Sequence, residues 1–168
     1  MPTLQVQDAY AFYRTFILEY SRNKAEIYKR YGFSLQGSVG SKDWEVFAAI
    51  LLSDRARQGD GADLEHYEVK SATTGSSFEY QYHRNRGLKK LDNDKTVDHV
   101  FVSRSQDYMT IGVWLVERTK MISIFNRWLP ELRQNYEKTE RQRFRRSVTY
   151  GFVKSQGTLL LEIRDGDL

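Results

Sequence analysis

Apolar residues in the N-terminal third of the chain recur at three- and four-residue intervals, the spacing of amphipathic helices. The first such stretch, at about residues 7–31, predicts a long helix that covers the core or forms a dimer contact. A second stripe, Trp44 to Leu52, follows a glycine-containing loop and predicts another helix. We expect Ser41 to be the N-cap of that helix, and the helix to end before Gly59.

Residues 59–71 indicate a turn that leads into a strand. Tyr67 and Val69 alternate there with Glu68 and Lys70. Because successive side chains of a strand point to opposite faces, Glu68 and Lys70 should lie side by side. The sequence therefore predicts a carboxylate next to an ammonium group on one face of this strand.

The rest of the chain completes a mixed α/β pattern. Residues 72–95 predict a long, partly helical surface excursion, and strands follow at 98–103 and 109–117. A helix from about Lys120 should restart at Pro130, and a terminal hairpin is predicted from strands at 148–154 and 158–164. The order predicts an α/β (α+β) fold with a central mixed β-sheet flanked by helices, and one domain over residues 1–168. Its parts are an N-terminal helical or dimerisation region (1–40), a catalytic core (41–117) and a C-terminal helix and hairpin (118–168).

Composition narrows the class of protein. With 40% hydrophobic and 14% aromatic residues the chain should fold. Its 26 Lys and Arg against 22 Asp and Glu give a net charge of +4, which favours a polyanionic partner. The absence of cysteine excludes disulfides and thiolate metal sites. No targeting segment or apolar stretch of membrane-spanning length is apparent, so we expect a cytoplasmic protein without a membrane partner.

An aspartate upstream of the predicted strand could add a second carboxylate to Glu68, and paired carboxylates suit Mg²⁺. Asp60 leaves room for a tight loop around residues 63–65 with short arms and is the favoured first ligand. Asp63 is the alternative, since it would use nearly all intervening residues for the turn. Lys70 would orient the attacking water and offset charge on the phosphate. Glu45, on the second helix, is a secondary metal-ligand candidate.

These residues resemble the signature of the PD-(D/E)xK nuclease superfamily and, within it, the PvuII-type restriction endonucleases. Four stretches between about residues 40 and 117 stand in the family's order: Asp60-Gly-Ala-Asp63, Tyr67-Glu-Val-Lys-Ser71, His83-Arg-Asn85 and Val100-Phe-Val-Ser-Arg104. The resemblance implies a restriction-endonuclease-like fold and a homodimeric, Mg²⁺-dependent type II enzyme. Such an enzyme uses water to cut both strands of a short palindrome in double-stranded DNA. Gly59 replaces the leading proline, the loop before Glu68 is shorter, and Tyr82 replaces part of a histidine run, so the base sequence recognised is not carried over.

Residues 78–87 mix aromatic, amide, imidazole and guanidinium side chains, which suit base edges in the major groove. The predicted DNA-binding residues are Ser71, Tyr82, His83, Arg84, Asn85 and Arg86. Lys89, Lys90 and the arginines at 141–146 are expected on phosphates or in solvent. Two other functions stay open: a non-catalytic nucleic-acid-binding module, and a structure-specific or repair nuclease of the same fold.

Overall fold

Helical segments come first along the chain, and strands and helices follow, in a computed structural model that describes residues 3–59, 61–138 and 143–168. The helices are α1 (Val6–Phe12), a π-helix (Tyr13–Glu19), α2 (Tyr20–Arg30), α3 (Ser41–Leu52), α4 (Gly87–Asp94), α5 (Arg118–Lys138) and α6 (Tyr150–Gln156). The strands are β1 (Tyr67–Thr73), β2 (Phe78–His83), β3 (Asp98–Arg104), β4 (Ile111–Val116), β5 (Arg143–Val148) and β6 (Thr158–Ile163). Within the described ranges, no helix combines the length and the apolar character needed to cross a membrane.

The two N-terminal helical segments follow from their apolar stripes. Ala9, Tyr13 and Ile17 are fully buried at four-residue intervals, so the predicted first helix is confirmed, with π-helical geometry in its middle. Helix α3 is also confirmed, but Ser41 is not its N-cap. Gly40 takes that position, and its backbone N–H donates to the Asp43 carboxylate at 3.2 Å. The Asp43 carboxylate thus satisfies a backbone donor at the start of the helix.

A four-stranded mixed sheet in the order β1-β3-β4-β6 forms the centre of the fold. Strands β1 and β3 are parallel, while β4 is antiparallel to both β3 and β6. A parallel pair needs a crossover connection, and β2 and α4 provide it. The observed mixed sheet with flanking helices confirms the predicted fold class. Strand β1 stands at one end of this order.

A separate two-stranded ribbon lies beside the sheet, and the sequence patterns did not predict it. Strand β2 falls in the segment predicted as a surface excursion, and it pairs antiparallel with β5. The predicted C-terminal hairpin is wrong, because residues 150–156 form α6 and β6 pairs with β4 instead. The predicted restart at Pro130 is also wrong, since α5 continues through it. Pro130 is exposed, whereas Phe125 and Leu132 on either side are fully buried, so packing outweighs the lost backbone hydrogen bond.

Two apolar clusters divide the buried side chains of β3 between them. Val100 and Val102 pack with the N-terminal helices and α3 in the first cluster. Phe101 packs with the ribbon and α5 in the second, where its ring lies 4.9 Å from that of Phe78. Alternation along β3 therefore fixes which elements cover each part of the core. Burial along β1 is less regular, and two of its partly or fully buried residues are charged.

Candidate functional site

Glu68 and Lys70 lie together on β1, as strand alternation predicts. The Lys70 Nζ donates to the Glu68 carboxylate in a short ion pair. Glu68 has no exposed surface, and 18% of the Lys70 side chain is exposed. A second contact of Lys70 is with the ring of Tyr80, whose centroid lies 5.1 Å from Nζ. Lysine and glutamate are thus held together at the terminal strand of the sheet, with Glu68 buried and Lys70 only slightly exposed.

Asp63 supplies the second carboxylate of this group. Its Oδ2 accepts a hydrogen bond of 3.0 Å from the Val69 backbone N–H and lies 3.6 Å from the Lys70 Nζ. The Asp63 backbone N–H donates to Glu68 Oε2 at 3.2 Å. Through these three contacts, Asp63 is fixed against β1 by its own side chain and backbone.

The chain reverses at a different place from the one predicted. Ala56 and Leu64 form an antiparallel bridge, and the Arg57 N–H donates to the Asp63 carbonyl, so the chain has already reversed when it reaches Asp63. A second turn, in which the Leu64 N–H donates to the Tyr67 carbonyl at 2.9 Å, then leads into β1. Asp63 needs no paired strand after it, because its carboxylate binds the edge of β1 directly. The favoured first ligand, Asp60, lies outside the described residues.

Helix α4 contributes two charged side chains that we did not assign to the site from sequence. The Lys90 Nζ donates to Glu68 Oε1 at 2.8 Å, to Asp94 Oδ1 at 3.3 Å and to the Gly61 carbonyl at 3.3 Å. Lys90 and Asp94 are four residues apart and so share one face of the helix. Lys90 is therefore not simply solvated, since its ammonium group bridges two buried carboxylates; the predicted phosphate contact stays a prediction. In the sequence, the feature that points to this pair is the i, i+4 spacing of Lys90 and Asp94.

The charges around Glu68 keep its carboxylate ionised. Burial alone would raise the pKa of Glu68, but the charges and hydrogen bonds of Lys70 and Lys90 outweigh burial and lower this pKa to about 2. Burial opposes the charged form of Lys70 as well, yet Glu68 and Asp63 together raise the pKa of Lys70. Near neutral pH the group therefore holds an ionised carboxylate and a protonated amine in contact.

A buried polar network supports the α4 side of the site. The Tyr82 hydroxyl donates to Asp94 Oδ2 at 2.9 Å. His99 binds the Tyr80 hydroxyl through Nδ1 at 2.8 Å and the Asp94 carbonyl through Nε2 at 2.9 Å. Burial lowers the pKa of His99 to about 4, so its imidazole is neutral, and burial together with the Glu68 charge raises the pKa of Asp94 to about 6. This network holds α4, and with it the backbone of Lys90, in place relative to the sheet.

One of the predicted DNA-binding residues is buried, and the others are at least partly exposed. Tyr82 is fully buried with its hydroxyl on Asp94, so it cannot reach a base edge. His83 ends β2, and Arg84, Asn85 and Arg86 follow it in an exposed turn. Ser71 is half-buried on β1, one residue beyond Lys70.

Polar side chains from both strands lie together on the outer face of the β2–β5 ribbon, and the sequence analysis does not predict that they meet. Gln81 stands opposite Arg145, and His83 stands opposite Arg143, all four exposed. The Arg143 Nε donates to His83 Nε2 at 3.0 Å. Alternation on β2 explains both this face and the burial of Tyr82, because alternate residues face the core. Arg141, another of the predicted basic residues, lies outside the described part of the chain.

A small cleft of about 270 Å³ adjoins the site. Basic residues at 86, 89 and 90 line it with Gly59, Gly61 and Asn93. Lys90 lines this cleft and also contacts Glu68, so the cleft adjoins the buried carboxylate. Such a cleft suits an anionic group, for example a phosphate.

Glu45 is on the correct helix but is engaged in a local ion pair. Its carboxylate accepts from Lys42, three residues earlier, in a short contact. The charge of Asp63 contributes to the raised pKa of Lys42, although hydrogen bonding to Glu45 is the larger cause. The N-terminal turn of α3 is thus near Asp63, but the partner that the structure gives Glu45 is Lys42.

A second group of potential metal ligands lies in the segment of the chain that precedes β1. One ligand atom from each of Asp54, Glu65 and His66 lies within 4.8 Å of the other two, so this cluster could hold a metal ion. The Asp54 carboxylate already accepts from His66, through the backbone N–H at 3.0 Å and through Nδ1 at 3.1 Å. We did not predict this cluster, because Asp54 and His66 are brought together by the loop and not by sequence spacing.

The donor set around Lys70 fits a hard divalent cation. Asp63 and Glu68 offer carboxylate oxygens, which Mg²⁺ prefers, and both lie next to one ammonium group. The sequence matches no protein-family model and no curated protein. The evidence for function therefore lies in the chemistry and placement of these side chains.

Proposed function

We propose that this protein is a Mg²⁺-dependent endonuclease that hydrolyses phosphodiester bonds in double-stranded DNA at a short specific sequence, as type II restriction enzymes do. One observation carries the proposal. Lys70 contacts both Glu68 and Asp63 at the terminal strand of a mixed sheet, beside a basic cleft. Two carboxylates can hold a divalent cation and a neighbouring amine can offset charge on the phosphate, a combination that suits metal-assisted phosphodiester hydrolysis.

In this proposal each side chain has its own role. Glu68 and Asp63 hold Mg²⁺, and Asp60 is a further candidate ligand. When bound, Mg²⁺ would act as a Lewis acid that stabilises negative charge on the scissile phosphate. Lys70 orients the attacking water and offsets the charge that grows on the phosphate oxygens. Partial burial keeps Lys70 fixed, which reduces reorganisation during the reaction.

The β2–β5 ribbon is the proposed DNA-reading surface. A two-stranded ribbon fits the major groove of B-DNA. Gln81 can pair with adenine and Arg145 with guanine, while His83 can donate to a guanine acceptor. Arg84 and Arg86 follow in the adjoining turn, where phosphate contacts would set the register. A homodimer would present two such ribbons and would therefore read a palindrome.

The first test is digestion of plasmid DNA of known sequence by the purified protein with Mg²⁺. Discrete fragments with uniform ends support the proposal, whereas a smear indicates a structure-specific or repair nuclease. Binding without cleavage under any divalent metal would indicate a non-catalytic nucleic-acid-binding module and refute the enzyme assignment.

A matched pair of lysine variants tests the chemistry. Lys70→Met should reduce the cleavage rate about 100-fold or more, while DNA affinity changes little because the basic cleft and the ribbon remain. Lys154→Met, which removes an exposed lysine from α6, should cleave at the wild-type rate. Equal cleavage by the two variants would remove Lys70 from the mechanism.

A further inference from the structure

Lys90 places a second ammonium group on a carboxylate that already has one. Glu68 Oε1 accepts from both Lys70 and Lys90, and Glu68 Oε2 accepts from the Asp63 backbone N–H. A carboxylate has about four lone-pair positions, so these described donors fill most of them. Few lone pairs of Glu68 are therefore left for a cation while all three donors are in place.

A divalent cation at Glu68 would face both ammonium groups at close range. Like charges about 4 Å apart repel strongly where water is excluded, and Glu68 is fully buried. One of the lysines must therefore withdraw before Glu68 can coordinate a cation.

The surroundings decide which lysine withdraws. Lys70 is part of β1, lies over the Tyr80 ring and keeps Asp63 within 3.6 Å. Lys90 lies on a surface helix, has 29% of its side chain exposed and lines the adjoining cleft. If Lys90 leaves Glu68, Asp94 remains as its carboxylate partner at 3.3 Å. Lys90 can thus move without leaving an unpaired charge behind.

We propose that Lys90 is a positioning residue that occupies the ligand position on Glu68 in the metal-free protein, and that a divalent cation displaces it toward the cleft. This inference rests on the proposed metal site at Glu68. It assigns Lys90 a role distinct from that of Lys70, because Lys90 sets how tightly the site binds metal. Removing the Lys90 charge should therefore tighten metal binding, whereas loss of a purely structural ion pair would leave it unchanged or weaken it.

The test is Mn²⁺ binding to the full-length protein without DNA, followed by electron paramagnetic resonance of free Mn²⁺ at neutral pH. All proteins carry His66→Ala, which removes the histidine of the exposed cluster. Lys90→Met should bind Mn²⁺ at least about tenfold more tightly than the protein that keeps Lys90. Lys95→Met, which removes a lysine paired with Asp92 next to α4, should change the affinity by less than about twofold. Unchanged or weaker binding by Lys90→Met overturns the proposal.

Two further variants keep the test decisive. Circular dichroism establishes whether Lys90→Met folds, and Lys90→Gln, which keeps a hydrogen-bond donor without the charge, replaces it if it does not. The tightening should disappear when Glu68→Gln is added to the Lys90 variant. If the tightening persists, Mn²⁺ is bound elsewhere and the proposal is wrong.

This experiment fails separately from the test of the proposed function. Tighter Mn²⁺ binding by the Lys90 variant, in a protein that never cuts DNA, would support displacement of Lys90 and refute the nuclease assignment. Cleavage by the wild-type protein together with unchanged Mn²⁺ affinity in the Lys90 variant would support the nuclease assignment and refute displacement of Lys90.

Discussion

Glutamine in place of Glu68 should lower the free energy of unfolding of the metal-free protein by about 3 kcal/mol at neutral pH. The magnitude follows from the pKa of the carboxyl group, which falls from 4.5 to about 2 on folding. Burial disfavours the ionised form, so the lowering comes mainly from Lys70 and Lys90. An amide cannot replace the two charge-assisted contacts, although it fills the same space.

The sign of the pH dependence is fixed by the same shift. Because the folded pKa of Glu68 is depressed, its contribution is fully present above pH 4.5 and is lost as the pH falls toward about 2. The difference in unfolding free energy between wild type and Glu68→Gln should therefore shrink to about 1 kcal/mol by pH 3. Urea unfolding with a metal chelator, followed by circular dichroism at several pH values, measures this difference.

Two outcomes would refute the reasoning. A Glu68→Gln protein as stable as wild type, or more stable, would mean that the lysines do not hold the carboxylate. A difference that stays constant between neutral pH and pH 3 would mean that titration of Glu68 is not its source. Glu79→Gln, an exposed glutamate on β2, is the control and should change stability by less than about 0.5 kcal/mol.

Three other perturbations test the polar network and the packing around α4. His99→Gln should reduce acid sensitivity: the folded pKa of about 4 lies below 6.5, so the contribution of His99 is present above pH 6.5 and is lost as the pH falls toward 4. The stability difference between wild type and this variant should fall by up to about 3 kcal/mol over that range in urea titrations. Tyr82→Phe should lower the free energy of unfolding by about 2 kcal/mol through the lost hydrogen bond to Asp94, without weakening DNA binding in a salt titration. Gly87→Ala should lower thermal stability by about 1–3 kcal/mol in calorimetry, because a Cβ there would collide with the Tyr136 hydroxyl and the Tyr82 Cβ.

The part of the site that lies on one strand was predictable, and the part that depends on packing between elements was not. Strand alternation places Glu68 beside Lys70 in any sheet. A paired strand after the turn favours Asp60 over Asp63, but the Asp63 carboxylate accepts directly from the Val69 N–H and needs no such strand. Lys90 reaches Glu68 across 22 residues, and a contact between residues so far apart in the chain leaves no local pattern in the sequence.

The errors in the predicted fold have the same physical origin, because they too concern contacts between distant segments. Phe78, Tyr80 and Tyr82 alternate with polar residues as in a strand, but the Gly- and Ser-rich residues before them favour a loop, so the sequence analysis does not predict β2. Its partner β5 lies about 60 residues away, and the predicted hairpin assumed that neighbouring strands pair. Hydrophobic periodicity identified most elements, while long-range partner choice required the tertiary structure.

The unfolding free energy without metal and the metal affinity should both report the strength of the contact between Glu68 and Lys90. If a divalent cation displaces Lys90, the free energy of the Glu68–Lys90 contact must be given up on binding, and metal affinity is weakened by that amount. A double-mutant cycle of Glu68→Gln and Lys90→Met on unfolding free energy, with a chelator present, isolates that contact from the bond between Lys90 and Asp94. Its coupling energy should match the free energy by which Lys90→Met tightens Mn²⁺ binding, about 1.4 kcal/mol for each factor of ten. A substantial coupling energy with no gain in affinity would mean that Lys90 stays on Glu68 when the metal binds, so agreement between the two numbers is the stricter test of displacement.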